Sequence, residues 1–368
     1  MSEEIRCIGC GSVLQDQDPK AAGFMPTSAL KKAQAGAEEV YCKRCFRLRH
    51  YNEITPVAVH QDDFLKTLSQ LGQKPALVVN VVDLFDFNGS LLTSLPRFIG
   101  NNDFILVGNK ADLFPPNLRV SKLKDWMRQQ ANKHGLYPKK IFLLSAKSSN
   151  GLDDLVSYLD KAGQTRDIYF AGVTNVGKST LVNAILKQAS GEGQLITTSS
   201  YPGTTLAQIE IPLASGHQLV DTPGILSDSQ LASRLSPASL KLVTPKKRLK
   251  PKTYQLLPGQ TLFISGLARI DFLQGSSSSF VVYCARDLVV HRTKTANADE
   301  FYEKHKGELL QPPTTGDDLP ALRGQDYSSR EKSDLLLGGL GFVTIPAGVT
   351  VRSYTPGGIG QGIRRALI

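Results

Sequence analysis

From about residue 75 to about residue 225, short apolar runs alternate with stretches whose apolar positions recur every three to four residues. Runs rich in β-branched side chains read as strands buried on both faces. The recurring pattern reads as helices that cover them, so an α/β segment with a mostly parallel sheet is expected. Strands are expected over 76–82, 104–108, 140–144, 167–171, 207–211 and 218–220, and helices over 121–134, 152–161 and 178–187. Residues 160–166 would join helix to strand at a length ordinary for such connections. Beyond about 230 the pattern changes to short β-like runs at 261–264, 280–284, 342–345 and 349–354, with one helix near 298–306. A small β-rich or α+β domain follows. Gly358-Ile359-Gly360-Gln361-Gly362 has the spacing of a dinucleotide fingerprint. Too few residues follow it for a strand–helix–strand unit, and a flexible tail is expected instead.

A chain of 368 residues exceeds one ordinary core. Three domains are expected, at 1–52, 53–228 and 229–368. No apolar run reaches the ~18 residues needed to span a bilayer, and the first thirty residues lack a leader pattern. A cytoplasmic, monomeric protein without a membrane partner is the expectation. The net charge of +10 is unevenly placed: residues 1–50 carry 8 basic and 6 acidic side chains, 51–225 carry 16 and 15, and 226–368 carry 19 and 12. The excess lies mainly in the last segment, where it can attract a polyanion.

The loops beside the expected strands carry the chemistry. Gly172-Val173-Thr174-Asn175-Val176-Gly177-Lys178-Ser179 matches a phosphate loop. Its glycines let backbone N–H groups converge on phosphate oxygens, and the following helix, with Thr180 in its first turn, presents its N-terminus to the same anion. Lys178 is placed to reach the outer phosphates and Ser179 to ligate Mg²⁺. Asn109-Lys110-Ala111-Asp112 and Ser145-Ala146-Lys147 follow two other strands. A carboxylate at Asp112 can accept hydrogen bonds from the N1–H and amino group of guanine, whereas adenine presents an acceptor and lacks the second donor. Guanine over adenine follows. Pro202-Gly203-Thr204-Thr205 precedes one strand, and Asp221-Thr222-Pro223-Gly224 follows another.

These motifs are transposed, because the base-reading pair precedes the phosphate loop. The order resembles that of the circularly permuted GTPases and, given the flanking segments, their YqeH branch. The resemblance implies a P-loop GTPase domain that binds GTP and GDP, an N-terminal zinc module and a C-terminal β-rich or α+β domain. It implies that Asn109 supports the base edge, that the Lys110 stem lies along the base plane, and that the Ala146 N–H, between Ser145 and Lys147, meets guanine O6. Thr205, with Thr204 as the competing choice, would close on Mg²⁺ and the γ-phosphate. Asp221 would hold Mg²⁺ through water, and the Gly224 N–H would donate to the γ-phosphate. Ile225 stands where many relatives of this fold carry a water-orienting glutamine and has no polar atom for that task. Slow intrinsic hydrolysis is expected, with K⁺ stimulation through Asn175; the alternative is that Asn175 only rigidifies its loop. Members of the branch are implicated in small-subunit ribosome assembly, so rRNA or the small ribosomal subunit is the expected partner. Two other readings remain: a GTP-dependent scaffold with negligible turnover, and a GTPase of tRNA modification.

Cys7-x-x-Cys10 and Cys42-x-x-Cys45 supply four thiolates, the number of a closed tetrahedral zinc site. Redox use of either pair and an iron–sulfur cluster are the rivals. A loop or helix around 29–37 would separate the pairs. Just past them, Arg44, Arg47, Arg49 and His50 alternate with Phe46 and Tyr51, which reads either as an RNA grip or as a solvated face over the knuckle. Cys284 lies in an apolar run and is expected to be an inert core residue.

Overall fold

The apolar runs of the α/β segment become strands that stack into one sheet. The computed structural model describes residues 5–8, 12–19, 23–34, 40–51, 58–59, 72, 74–192, 203–204, 209–225, 227 and 229–368. Cys10, Pro202 and Thr205 lie outside these residues. The chain divides into two units, Met1–Ala111 with Met127–Leu226, and Asp112–Trp126 with Ser227–Ile368.

In the first unit the described strands are β1 (Ala58–Val59), β2 (Ala76–Asp83), β3 (Asp103–Asn109), β4 (Ile141–Leu143), β5 (Asp167–Ala171), β6 (Gly203–Thr204), β7 (Ile209–Pro212), β8 (Gln218–Asp221) and β9 (Gly224–Ile225). Seven of them form a sheet in the order β4-β3-β2-β5-β8-β7-β6. Strands β4, β3, β2, β5 and β8 run parallel, and β7 and β6 are added antiparallel. Every residue of β2 from Ala76 to Val82 is buried, as a strand covered on both faces requires. From β2 the chain proceeds outward to β3 and β4, and from β5 it supplies the strands on the opposite side. The two directions diverge between β2 and β5, the kind of switch point at whose strand carboxyl ends open α/β sheets bind ligands.

The helices follow their apolar periodicity. Leu152–Gly163 buries Leu152, Leu155, Leu159 and Ala162 along one stripe, and Asp153 and Asp154 sit in its first turn, where the helix dipole favours negative charge. The helix runs four residues into the expected joint, so only 164–166 connect it to β5. Gly108 in β3 lies where a Cβ would come 2.7 Å from Met127 Cε, so the absence of a side chain there lets Met127 of the helix Val120–Lys133 seat closely. A second buried cluster in this unit gathers Cys7, Leu14, Met25, Ala33, Val40, Cys42 and Cys45 beside the helix Thr27–Gln34. That helix overlaps the expected span 29–37 and begins two residues before it.

The second unit is a sandwich of two five-stranded antiparallel sheets. Its strands are β10 (Lys252–Leu256), β11 (Gln260–Ile264), β12 (Ala268–Gln274), β13 (Ser278–Cys284), β14 (Val290–Lys294), β15 (Leu322–Ser328), β16 (Ser333–Leu337), β17 (Gly341–Ile345), β18 (Thr350–Pro356) and β19 (Gln361–Arg365). One sheet has the order β10-β13-β17-β16-β19 and the other β14-β11-β12-β18-β15. Both feed one core in which Leu262, Ile270 and Phe272 meet Phe280, Val282 and Val343, with the Phe272 and Phe280 rings edge to face at 5.0 Å. The helix Ala298–His305 packs Phe301 and Tyr302 against Phe263 of β11.

The expectation of a flexible tail at 358–362 is corrected here. Residues Gln361–Arg365 are strand β19, paired along its length with β16. Fully buried Asp334 anchors it: Arg364 Nε donates to Asp334 Oδ2 at 3.4 Å, the Leu367 N–H donates to the same oxygen at 3.0 Å, and Thr344 Oγ1 donates to Oδ1 at 2.7 Å. The Arg364 guanidinium also lies 4.7 Å from the Trp126 ring. Replacing Asp334 by Ala removes the carboxylate from a buried ion pair with Arg364 and should cost about 3–5 kcal/mol. Urea unfolding followed by Trp126 fluorescence measures it, and Asp334→Asn should recover part of the loss.

Candidate functional site

The phosphate-loop sequence folds as a turn that depends on its glycines. A Cβ on Gly172 would sit 2.7 Å from the Val81 carbonyl oxygen, so β5 approaches β2 this closely only without a side chain. Gly177 has φ +87 and its Cβ would lie 2.4 Å from Asn109 Nδ2. Conformation and space both demand glycine there. Asn175 also takes a left-handed backbone, φ 66, at a position where asparagine is among the better tolerated side chains.

Asn109 binds three motif segments together. Its Nδ2 donates to the Val176 carbonyl at 2.9 Å, and its Oδ1 accepts from the Ala146 N–H at 2.9 Å. The side chain is 2% exposed, so these bonds form away from water. Lys110 Nζ donates to the Asn175 carbonyl and to Asp83 Oδ2, each at 2.6 Å. The Ala111 N–H donates to the Leu144 carbonyl, fixing the loop after β3 against the loop after β4. Ser145 is buried within that second loop and its Oγ accepts from Ser148 N, while Lys147 is exposed. Asp112 follows Ala111 in a short 3₁₀ turn and lies in the second unit.

On the other side of β5, Lys178 and Asp221 form a buried ion pair, 6% and 5% exposed, and Lys178 also donates to the Thr222 carbonyl. Ser179 Oγ donates to Asp221 Oδ2 at 3.1 Å. Thr222 Oγ1 donates to the Phe170 carbonyl at 2.7 Å and holds the loop after β8 beside β5. The Thr174 N–H donates to the Ile225 carbonyl at 2.8 Å, and the Ile225 N–H to the Gly172 carbonyl at 3.2 Å. The loop carrying Gly224 is thereby tied to the phosphate loop, and β9 pairs on its other edge with β1. A Cβ on Gly224 would meet Thr174 Cγ2 at 3.1 Å. Among the described residues the structure therefore gathers Asn109, Lys110, Ala146, Gly172, Asn175, Val176, Gly177, Lys178, Ser179, Asp221 and Gly224 at one edge of the sheet. Sequence reading missed Asp83 and Ser90. The available signal was an acidic residue ending the buried run of β2 at the edge where the other motifs lie.

The cysteines form a second centre. The Sγ atoms of buried Cys7, Cys42 and Cys45 all lie within 4.8 Å of one another, and none is in a disulfide. The Cys42 N–H points at Cys7 Sγ over 3.2 Å, a bond that stabilises a thiolate. Three buried sulfurs this close suit a soft divalent cation, which relieves their mutual repulsion. Gly23, with φ +79, has its Cα where a Cβ would strike the Val13 carbonyl, so the knuckle closes only around glycine. Cys284 differs: burial pushes its thiol up to about 11. Burial disfavours the thiolate, so at pH 8 only about one part in a thousand is nucleophilic.

Two outcomes follow. In the folded protein at pH 8, iodoacetamide should leave Cys284 intact, and chelator treatment should open Cys7, Cys42 and Cys45 to alkylation, as peptide mass mapping would show. Asn109→Ala leaves two buried backbone groups unpaired, at about 1–3 kcal/mol each, and should lower the thermal midpoint with or without nucleotide.

Similarity to known proteins was found on both halves of the chain. Residues 277–367 match the family described as YqeH-like, C-terminal, and residues 167–253 match the 50S ribosome-binding GTPase family. The chain is 45% identical over 370 residues to the YqeH protein of Bacillus subtilis, covering all of both chains. It is 32% identical to NO-associated protein 1, chloroplastic/mitochondrial, of Arabidopsis thaliana over 92% of this chain and 69% of that one. It is 30% identical to the small ribosomal subunit biogenesis GTPase RsgA of Vibrio cholerae over 48% of this chain and 41% of that one.

Proposed function

Because the chain belongs to the YqeH family of circularly permuted GTPases, we propose that it binds and hydrolyses GTP as a molecular switch in ribosome biogenesis, acting on rRNA or precursors of the small subunit. The observation that carries the reading is the buried Asn109 amide, which draws the loops after β3, β4 and β5 into one arrangement although they are transposed along the chain. Names of relatives support the ribosomal part: one is a small ribosomal subunit biogenesis GTPase, and the family matching residues 167–253 is described as 50S ribosome-binding, which supports a ribosomal role without choosing the subunit. The +7 excess of residues 226–368, 19 basic against 12 acidic, suits an RNA backbone.

In this reading residues 1–52 form a zinc module, 53–228 the GTPase domain and 229–368 the RNA- or partner-binding domain. Cys7, Cys42 and Cys45, with Cys10 as fourth ligand, hold Zn²⁺. Backbone N–H groups of the phosphate loop up to Thr180 cradle the phosphates, and Lys178 exchanges its Asp221 and Thr222 partners for the outer phosphate oxygens. Asp112 accepts from the guanine N1–H and amino group, and Ser145, Ala146 and Lys147 line the base. Ser179, Thr205 and Asp221 would hold Mg²⁺, which neutralises charge developing between the β- and γ-phosphates. Ile225 offers no group to orient water, so the intrinsic rate is low, and Asn175 places a carbonyl side chain where K⁺ can assist. Release of the γ-phosphate frees Gly224 and Thr205. Because Gly224 is two residues before the first unit ends at Leu226, that change is passed along the chain into Ser227 and beyond. Among the described residues no helix is long and apolar enough to cross a membrane; the chain acts in the cytoplasm as a monomer.

The test is sedimentation with small-subunit particles in GDP and in a non-hydrolysable GTP analogue, alongside calorimetry against GTP and ATP. Co-sedimentation should require the GTP-like state, fall steeply with salt, and accompany binding of GTP but not ATP. Hydrolysis should be at least several-fold faster in K⁺ than in Na⁺, and Asn175→Ala should abolish the difference. Equal sedimentation in both nucleotides, or a preference for ATP, would refute the reading.

A further inference from the structure

The end of β2 places a carboxylate that none of the nucleotide motifs includes. Asp83 Oδ2 accepts from Lys110 Nζ, and the same ammonium donates to the Asn175 carbonyl, both at 2.6 Å. One cation thus spans β2, the loop after β3 and the phosphate loop. Lys110 and Asn175 both have left-handed backbone, φ 65 and 66. Such a conformation is uncommon for non-glycine residues and persists where surrounding contacts enforce it.

The carboxylate is itself held in place. Asp83 Oδ1 accepts from the Phe85 N–H at 2.9 Å, and the Asp83 N–H donates to Ser90 Oγ at 2.9 Å. Ser90 is fully buried, and its Oγ donates to the Asp86 carbonyl at 2.7 Å. The loop after β2 is therefore a bracket closed by Ser90 that aims one carboxylate oxygen at Lys110 and caps its own backbone with the other. A lysine stem has four rotatable carbons and no planar fork to fix its direction. Without a carboxylate on this side, its ammonium would have only the Asn175 carbonyl to orient it.

We propose that Asp83 is a positioning residue for the guanine nucleotide, holding Lys110 across the phosphate loop so that the base-side and phosphate-side loops keep one geometry. This rests on the nucleotide reading above. The contact binds GDP- and GTP-loaded forms alike, so its loss removes ground-state and transition-state binding equally and leaves the chemical step unchanged.

The test uses the full chain with a fluorescent GDP analogue, GTP turnover and thermal melting without nucleotide, for wild type, Asp83→Asn, Asp83→Glu, Lys110→Met and the Asp83→Asn/Lys110→Met double variant. Asp83→Asn should weaken GDP about tenfold through faster release, equivalent to about 1.4 kcal/mol, and raise KM with kcat within twofold. Asp83→Glu should regain part of the affinity. The double variant should bind no more weakly than Lys110→Met alone, since both changes remove one contact. Asp83→Asn within twofold of wild-type affinity, or additive losses in the double variant, would overturn the assignment while wild-type GDP binding upholds the nucleotide reading. A wild type that binds no guanine nucleotide would overturn both.

Discussion

The side-chain amide of Asn109 is the interaction on which the site depends. It is one of few polar groups that can face a carbonyl and an N–H at once, and it meets Val176 on one side and Ala146 on the other. In a buried setting each of these backbone groups would otherwise lack a partner, so the amide fixes spacing as well as strength. Gly177 completes the contact by having no side chain where Asn109 lies. Permutation alters the order in which the chain visits these loops and leaves their mutual requirements intact, since none of the bonds depends on chain direction.

The charge pairs around this amide have a common design. Lys178 is satisfied by Asp221 and Thr222, and Lys110 by Asp83 and Asn175, so each of these two cations already has oxygen partners in the protein. In the proposed reading, a polyanionic ligand with its metal would compete for Lys178 and supply a cation to Asp221 in return, so that one compensated arrangement would replace another and neither buried charge would be left alone.

Much of this was legible in the sequence because the α/β half obeys simple patterning. β2, β3, β5 and β8 fall on apolar runs, and the motifs lie where those runs end. The second half was less legible for two reasons. Edge strands such as β15, Leu-Arg-Gly-Gln-Asp-Tyr-Ser, are exposed on both faces and are held by pairing with β18, so no alternation marks them. Interior strands hide polar residues that satisfy one another: in β12 the buried Arg269 forms a two-point pair with Asp271, with nitrogen–oxygen distances of 2.7 and 2.8 Å, and stacks over Tyr354. β19 was missed on the same ground, because Arg364 reads as a surface residue until Asp334 is known to lie beneath it. Asp83 escaped notice because its partner is brought to it by the parallel pairing of β2 with β3, 27 positions away.

The strand order also bears on how the molecule is made. β2 occupies the middle of the sheet between β3 and β5, yet a ribosome delivers it well before β5. Until residues 167–171 emerge, any pairing of β2, β3 and β4 would leave the β5-facing edge of β2 with its N–H and C=O groups open. Such an edge would be a template for wrong strands. The transposed strand order thus places the central strand of the sheet early in the chain, and its second edge would be covered only once the fifth strand is in place.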